Sequence, residues 1–329
     1  MADADPIISV IIVNWNTRDE LAACLDSLRR HPPEASHEVI VVDNASADGS
    51  ADLVAEAYPE VRLITADRNL GFAGGNNRGV EAARGRYFMF LNSDAEVTAG
   101  VLDAMLGVFD AHRDDAAPVG AVGCRLVYPD GRLQRSAREL PTFPAVFHQH
   151  TVLKYVQVLR RAEARNKMAD FGFDAERDVG TLMGAALMVD RRAFERIGGW
   201  DDGYPFRYED ADFTYRLREA GYRCLFSPCG EVVHHSGTAT KRAPRLHAMT
   251  FRGMFRYFRR SRGRGRTALF KLAFIPLHAA RLAVNSPARM LQALASRCRG
   301  DRDRARRRWS GALDDLRALI CDAWRMWLW

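Results

Sequence analysis

No CxxC pair occurs in this chain. Its six cysteines, Cys24, Cys124, Cys224, Cys229, Cys298 and Cys321, are scattered, which argues against a zinc framework or a disulfide scaffold and predicts reduced thiols. No uncharged apolar run reaches about 18 residues, so no membrane-spanning helix is expected. The first residues carry Asp3 and Asp5 and run directly into an apolar strand. They lack the basic start and apolar stretch of a secretory leader, and none is expected. There is no internal repeat. The one glycine-rich loop, Gly71-Phe72-Ala73-Gly74-Gly75-Asn76-Asn77, is not followed by Gly-Lys-Ser/Thr and is not GxGxxG. That excludes a P-loop and the dinucleotide fingerprint at this position.

What is present suits one large α/β domain with an appendage. The chain has 329 residues, 47% of them apolar, enough for a sizeable core. Charge is placed unevenly. Lys241 to Trp329 hold 22 basic and 5 acidic residues, against 26 and 36 in the preceding 240. An acidic body with a basic tail meeting something anionic is the expectation. The domains are drawn at 1–240 and 241–329.

Strand and helix alternate through the first half. Ile7–Val13 is a β-branched run of buried-strand type. Thr17–Arg30 has helical spacing, with Thr17 and Glu20 as a candidate capping box. Strands are predicted at 38–42, 61–65, 87–91, 120–128 and 182–189, and helices at 51–58, 101–112, 191–197 and 208–220. The glycine-rich segment is read as a loop leading into a helix over 78–84. Two short strands, 223–226 and 232–233, close the domain. The stretch 133–178 has weak periodicity and is read as a loop-and-helix insert near an acceptor. The alternation predicts a doubly wound, mostly parallel sheet, whose ligands sit beyond the strands' carboxyl ends. Asn14, Asp43 and Asp94 all fall there.

Each polar group at those ends carries a chemistry and a plainer alternative. Asp43 can accept from a base N–H or ribose hydroxyl, or form an Asx-turn. The glycine segment can bring backbone amides to a phosphate or be an ordinary loop. Asn92-Ser93-Asp94 offers oxygens to Mg²⁺ or Mn²⁺, or ends a strand. Glu209, Asp210 and Asp212 can supply a base or satisfy a helix dipole. His234 or His235 can join a metal or be structural.

The order of these segments resembles the inverting family-2 glycosyltransferases, most closely rhamnosyltransferase-like members. The residues carrying the resemblance are Ile8 to Asn16, Asp43-Asn44, Asn69 to Asn76, Phe90 to Asp94, Gly184 to Met188, Gly199-Trp200-Asp201, Glu209 to Asp212 and His234, covering residues 7 to about 240. The resemblance implies the nucleotide-sugar A-type fold and a role for each matching residue. Asn14, Asn16 and Asp43 would hold the nucleoside, with Asn76 near the diphosphate. Asp94 matches the last position of a metal-binding D-x-D whose first position is Asn92 here, an amide without charge and a candidate nucleotide contact. His234 would join Mg²⁺ or Mn²⁺. Asp210, with Glu209 beside it, would be the general base. Trp200 and Asp201 would bind acceptor. The donor implied is a dTDP- or UDP-sugar, rhamnose first, and the acceptor a glycan or polyprenyl-diphosphate-linked saccharide in cell-wall or surface polysaccharide synthesis. A non-catalytic sugar-nucleotide binder or a membrane scaffold is the alternative.

Beyond Lys241 the chain is Arg-rich and helical. Arg252, Arg256, Arg259, Arg260, Arg262, Arg264 and Arg266 precede an apolar stretch, Leu269–Val284, broken by Lys271, His278 and Arg281. This suits an interfacial helix on anionic lipid, with Trp309, Trp324, Trp327 and Trp329 as interface-preferring rings. A helical cap or an oligomer contact would read similarly. No nucleic-acid motif is present. The expected location is cytoplasmic, peripheral on the inner face of the plasma membrane.

Overall fold

A computed structural model describes residues 5–236, 246–299, 301–317 and 325–328. Trp324, Trp329 and Cys321 lie outside the described residues. Among the described cysteines none is bonded to another. The chain divides into two compact units. The first comprises 1–140 and 170–244, and the second 141–169 and 245–329.

The first unit is built on a central sheet. β1 (Ile8–Asn14), β2 (His37–Asp43), β3 (Arg62–Thr65) and β4 (Tyr87–Asn92) are all parallel, in the order β3-β2-β1-β4. These are the β-branched and aromatic runs of the sequence, and β1 and β4 are buried nearly throughout. β5 (Ala95–Val97) and β6 (Val119–Val127) follow, with β11 (Ala186–Asp190) inserted antiparallel between β4 and β6. β12 (Arg223–His234) then runs parallel to β6 and antiparallel to β5. The two short strands expected over 223–233 are thus one strand. A register shift between Phe226 and Glu231 breaks its pairing with β6 and hid its continuity.

Two local expectations are corrected. The glycine-rich segment is itself helical, α3 (Gly71–Val80). Its glycines serve packing: a Cβ on Gly75 would lie 2.7 Å from Val13 Cγ1, and one on Gly79 2.5 Å from Ile11 Cγ2. Their spacing of four puts both on the face that meets β1. Thr17 precedes α1 (Arg18–Arg30) but makes no capping bond. Its hydroxyl instead donates to Asn14 Oδ1 at 2.7 Å and meets Ser93 Oγ at 2.8 Å.

The stretch without clear periodicity holds very short strands, β7 (Leu133–Gln134) to β10 (Thr181–Leu182), and two helices, α5 (Phe143–His150) and α6 (Arg160–Asn166). Both helices belong to the second unit. α7 (Arg191–Arg196) and α8 (Glu209–Glu219) complete the first unit. The second continues with α9 (Leu246–Arg262), α10 (Arg264–Cys298), α11 (Arg302–Arg317) and α12 (Arg325–Leu328). Its core is aromatic. Phe143 stacks on Phe270 at 4.4 Å, and Phe270 on Phe274 at 5.0 Å, contacts that add about 0.5–1.5 kcal/mol each to burial alone.

α10 corrects the expectation that no helix is long and apolar enough to span a membrane. It is continuous over 35 residues, and an 18-residue window within it has mean hydropathy 1.4. By length and composition alone it can cross a membrane, and 39% of that window is buried within the protein.

Candidate active site

The carboxyl ends of β1, β2 and β4 lie side by side, because Asn14 pairs in register with Asp43 and Val13 with Asn92. A polar network locks them together. Asn14 Nδ2 donates to Asp43 Oδ1 at 3.0 Å and to Ser46 Oγ at 3.1 Å, and the Ser46 amide donates to Asp43 Oδ2 at 2.9 Å. Asp43 is only 3% exposed. An ionised carboxylate has about four acceptor sites, so capacity remains beyond these two bonds. Asn16 is held in the left-handed region, φ 53°, and its Oδ1 accepts from the Ala47 amide at 2.8 Å. It ties the chain after β1 to the turn after β2.

Asn76 is placed differently from its sequence-derived role near a diphosphate. It is 1% exposed, and its amide donates back to Phe72 O at 2.9 Å. It therefore packs α3 and presents no group at an open surface. The neighbouring Asn77, not singled out by any sequence signal, grips the backbone of Trp200. It donates to Trp200 O at 2.8 Å and accepts from Trp200 N at 3.0 Å.

Trp200, expected at the acceptor, has a ring packed inside the protein. It is 3% exposed, stacked on Phe213 at 4.1 Å and edge-on to Phe72 and Phe90. No free face remains. Its indole N–H is buried without a partner among the described residues. Asp201 turns its Oδ1 onto the Gly203 amide at 3.0 Å.

Between β4 and β5 lies a second cluster. His234 Nε2 is 3.3 Å from Asp94 Oδ1 and 3.3 Å from Asn92 Nδ2. His234 Nδ1 meets Gln134 Oε1 at 2.9 Å, while Gln134 Nε2 donates to the His234 carbonyl. Gln134 thus fixes both ring and backbone, and the acceptor at Nδ1 assigns the proton there. The Nε2 lone pair then accepts from Asn92 Nδ2 and also faces a carboxylate oxygen of Asp94. Two acceptors meeting in a buried site fit a cation between them. Asp94 and His234 could supply two ligands and Asn92 an amide oxygen after a flip. Waters and diphosphate oxygens would complete an octahedral Mg²⁺ or Mn²⁺ shell. His235 points away, to Glu96 at 2.9 Å.

The third cluster is at the start of α8. Of three acids there, Asp212 is fully buried and neutralised, accepting from Tyr204 Oη at 2.9 Å and from Arg216 Nε at 2.7 Å. Glu209 and Asp210 are left. Burial raises both carboxyls well above the ordinary carboxylate range. The charge of Asp210 raises Glu209 further, and Glu209 Oε2 is buried without a partner among the described residues. The Gly184 amide pulls Asp210 partly back. Carboxyls raised in this way exchange protons closer to neutrality than ordinary carboxylates, as a general base needs. Backbone placement is deliberate. Arg207 and Tyr208, with φ of 57° and 69°, both occupy the left-handed region immediately before α8, an arrangement that costs energy and clusters at functional sites.

Asp210 connects to the strand ends through β11's approach. Asn92 N donates to Ala185 O at 3.0 Å, and Gly184 lies against Asp210. A Cβ on Gly184 would sit 2.9 Å from Asp210 Oδ1 and 2.6 Å from Phe72 Cζ. Gly184→Ala is therefore expected to lower kcat by about tenfold to a hundredfold, the scale of a misplacement of about 1 Å. The donor KM should stay nearly unchanged. Steady-state kinetics check this, and an unchanged kcat would remove Gly184 from the placement of Asp210.

Comparison with known proteins shows the family and the fold. The profile described as glycosyl transferase family 2 matches residues 9–197. The N-acetylglucosaminyl-diphospho-decaprenol L-rhamnosyltransferase of Mycobacterium tuberculosis is 30% identical over 259 residues, 73% of this chain and 80% of that protein. The O-antigen biosynthesis protein RfbC of Myxococcus xanthus is 27% identical over 72% of this chain, but over only 18% of its own length. Among solved structures, a mannosyltransferase from Pyrobaculum calidifontis in complex with GDP-mannose and Mn²⁺ superposes with a TM-score of 0.53 at 22% identity. It covers 99% of this chain and 88% of that one, a likeness of fold.

Proposed function

The chain belongs to glycosyl transferase family 2 and is a glycosyltransferase; from that premise we propose that it transfers a sugar, rhamnose first, from a dTDP- or UDP-sugar to a hydroxyl of a polyprenyl-diphosphate-linked saccharide, with inversion. The observation that carries this is the Glu209–Asp210 pair beside Gly184, both carboxyls raised, joined through Ala185 to the polar ends of the parallel strands. The acceptor class follows the name of the M. tuberculosis relative, and the setting is cell-wall or surface polysaccharide synthesis. The basic second unit suits an acceptor on lipid. We place the protein in the cytoplasm, peripheral on the inner membrane face. Catalysis belongs to the residues up to about 240, and the basic extension, with 141–169, serves association.

The chemistry is one displacement. Asp210 takes the proton of the acceptor hydroxyl. The hydroxyl oxygen bonds to the anomeric carbon as the bond from that carbon to the diphosphate oxygen breaks, and the diphosphate leaves with the electron pair. The proton remains on Asp210 until exchange with water. One base and no protein nucleophile give inversion. Asn14, Asn16 and Asp43 form the nucleoside end of the site. Asp94 and His234, with Asn92, would hold Mg²⁺ or Mn²⁺, which when bound neutralises charge on the departing diphosphate.

The test is transfer of labelled sugar from dTDP-rhamnose, UDP-sugars and GDP-mannose to N-acetylglucosaminyl-diphosphoprenol. Labelled lipid from dTDP-rhamnose, in excess over the other donors, is expected. Transfer from GDP-mannose alone would overturn the donor assignment.

A further inference from the structure

The second unit carries a surface that the first lacks. Among the described residues, thirteen of the fourteen large apolar side chains left exposed belong to it, Ile7 being the other. Five lie on α10: Leu269 and Leu291 at 68% exposure, Leu272, Val284 and Leu294. With about 100° between successive residues, these fall on one stripe together with Ala268, Ala273, Pro276, Ala280, Ala283, Pro287, Ala288 and Ala295, all exposed. No charged residue interrupts that stripe, which is about 40 Å long at ~1.5 Å per residue.

The charges that break the apolar run in sequence lie on the other side of the helix. Lys271 is 8% exposed, with its ammonium 4.8 Å from the Phe255 ring centroid. His278 Nδ1 donates to His150 O at 2.6 Å, and Arg281 donates to Gln149 O. Both carbonyls belong to the last residues of α5, whose orphaned acceptors they satisfy. Arg289 donates to Gly311 O at 3.0 Å. Polar groups face the protein, and an apolar face with nothing polar to satisfy it points outward. That is inverted relative to a helix capping a soluble domain.

We propose that this outer face of α10 lies in the plane of an anionic lipid surface, sunk to headgroup depth, and holds the enzyme at the membrane; this rests on the reading that its acceptor is lipid-linked. The placement of charge selects the occupant. Exposed arginines bracket the stripe at both ends, Arg262, Arg264 and Arg266 before it and Arg297, Arg299, Arg302 and Arg304 after it. A helix crossing a bilayer would carry one of those clusters to the far side, whereas a helix lying flat brings both to the same headgroup layer. Pro276 and Pro287 are both exposed, and each frees a carbonyl one turn earlier, on Leu272 and Ala283. Water reaches these carbonyls at headgroup depth and not in hydrocarbon.

The experiment is flotation of the full chain with vesicles of phosphatidylcholine alone or mixed with phosphatidylglycerol. The comparison is with a variant carrying Leu269→Glu and Leu291→Glu, two exposed positions of the second unit, whereas the catalytic residues belong to the first. Wild type should float with the mixed vesicles, and the variant should lose at least about tenfold of that binding while keeping its circular dichroism and its donor affinity. Equal flotation of the variant, or no flotation of wild type, overturns the proposal. So does a wild-type dimer that the variant splits without any vesicle binding, which would assign the face to a second copy. Donor affinity is read separately, so loss of membrane binding is distinguishable from failure of the transferase reading.

Discussion

Asp210→Asn is expected to lower kcat by about 10²–10⁴, the contribution of a positioned base, with the nucleotide-sugar Kd nearly unchanged. Asparagine keeps the shape and can still accept from Gly184, so a loss is chemical rather than structural. A second, opposite effect accompanies it. The Asp210 carboxyl is raised by burial in the folded chain, so the folded state binds this proton more tightly than the unfolded one. Stability from this group is then full below the unfolded carboxylate pKa of about 4 and declines as pH climbs from there to the raised value. Wild type carries that penalty at pH 8.5 and not at pH 4.5. The variant should therefore melt higher than wild type at pH 8.5 and equally at pH 4.5. The removal of Asp210's charge from Glu209 adds in the same direction. Activity of wild type should rise with pH through the raised range, and residual activity of the variant should lack that limb. Full turnover by the variant would take the base role from Asp210. Equal melting at both pH values would deny that its carboxyl is buried.

The second large effect concerns the cluster at Asp94. Asp94→Ala is expected to reduce turnover by about 10²–10³, the scale of removing a preorganised partner of the leaving charge. Chelation should do the same to wild type and nothing further to the variant. Gln134→Leu should weaken Mn²⁺ binding by about tenfold to a hundredfold, as loss of an outer partner does, because the ring of His234 is then no longer oriented. Asn92→Asp should tighten it by restoring a charge. Manganese titration followed by electron paramagnetic resonance reads each without turnover. Wild-type activity indifferent to chelator, with Asp94→Ala fully active, would remove the metal from the account.

The parallel half of the sheet was legible because its strands are continuous apolar runs ended by Asn or Asp, a pattern whose meaning is local. The glycine-rich segment was not. Glycine reads as loop in sequence, whereas Gly75 and Gly79 are needed where a helix lies against Val13 and Ile11. Thr17 had the form of a cap, but its hydroxyl goes to partners on two other strand ends. The three acids at α8 were visible as a group. Only the fold separates Asp212, bound by Tyr204 and Arg216, from Glu209 and Asp210, whose carboxyls are raised. Gln134 was invisible because its significance lies at His234, one hundred residues away, within a stretch of two-residue strands that has no period. The outward stripe of α10 was obscured for a related reason. Lys271, His278 and Arg281 interrupt the run along the chain, yet on the helix they occupy the opposite side.

The configuration of the product tests the central claim, a single displacement assisted by Asp210, most directly. Sugar transferred from a donor of known anomeric configuration can be read by proton NMR from the one-bond carbon–hydrogen coupling at the anomeric centre. The account predicts a product of the opposite configuration, formed by wild type and not by Asp210→Asn at comparable rate. A product that retains the donor's configuration would require a protein nucleophile or a different face of attack, and would contradict it.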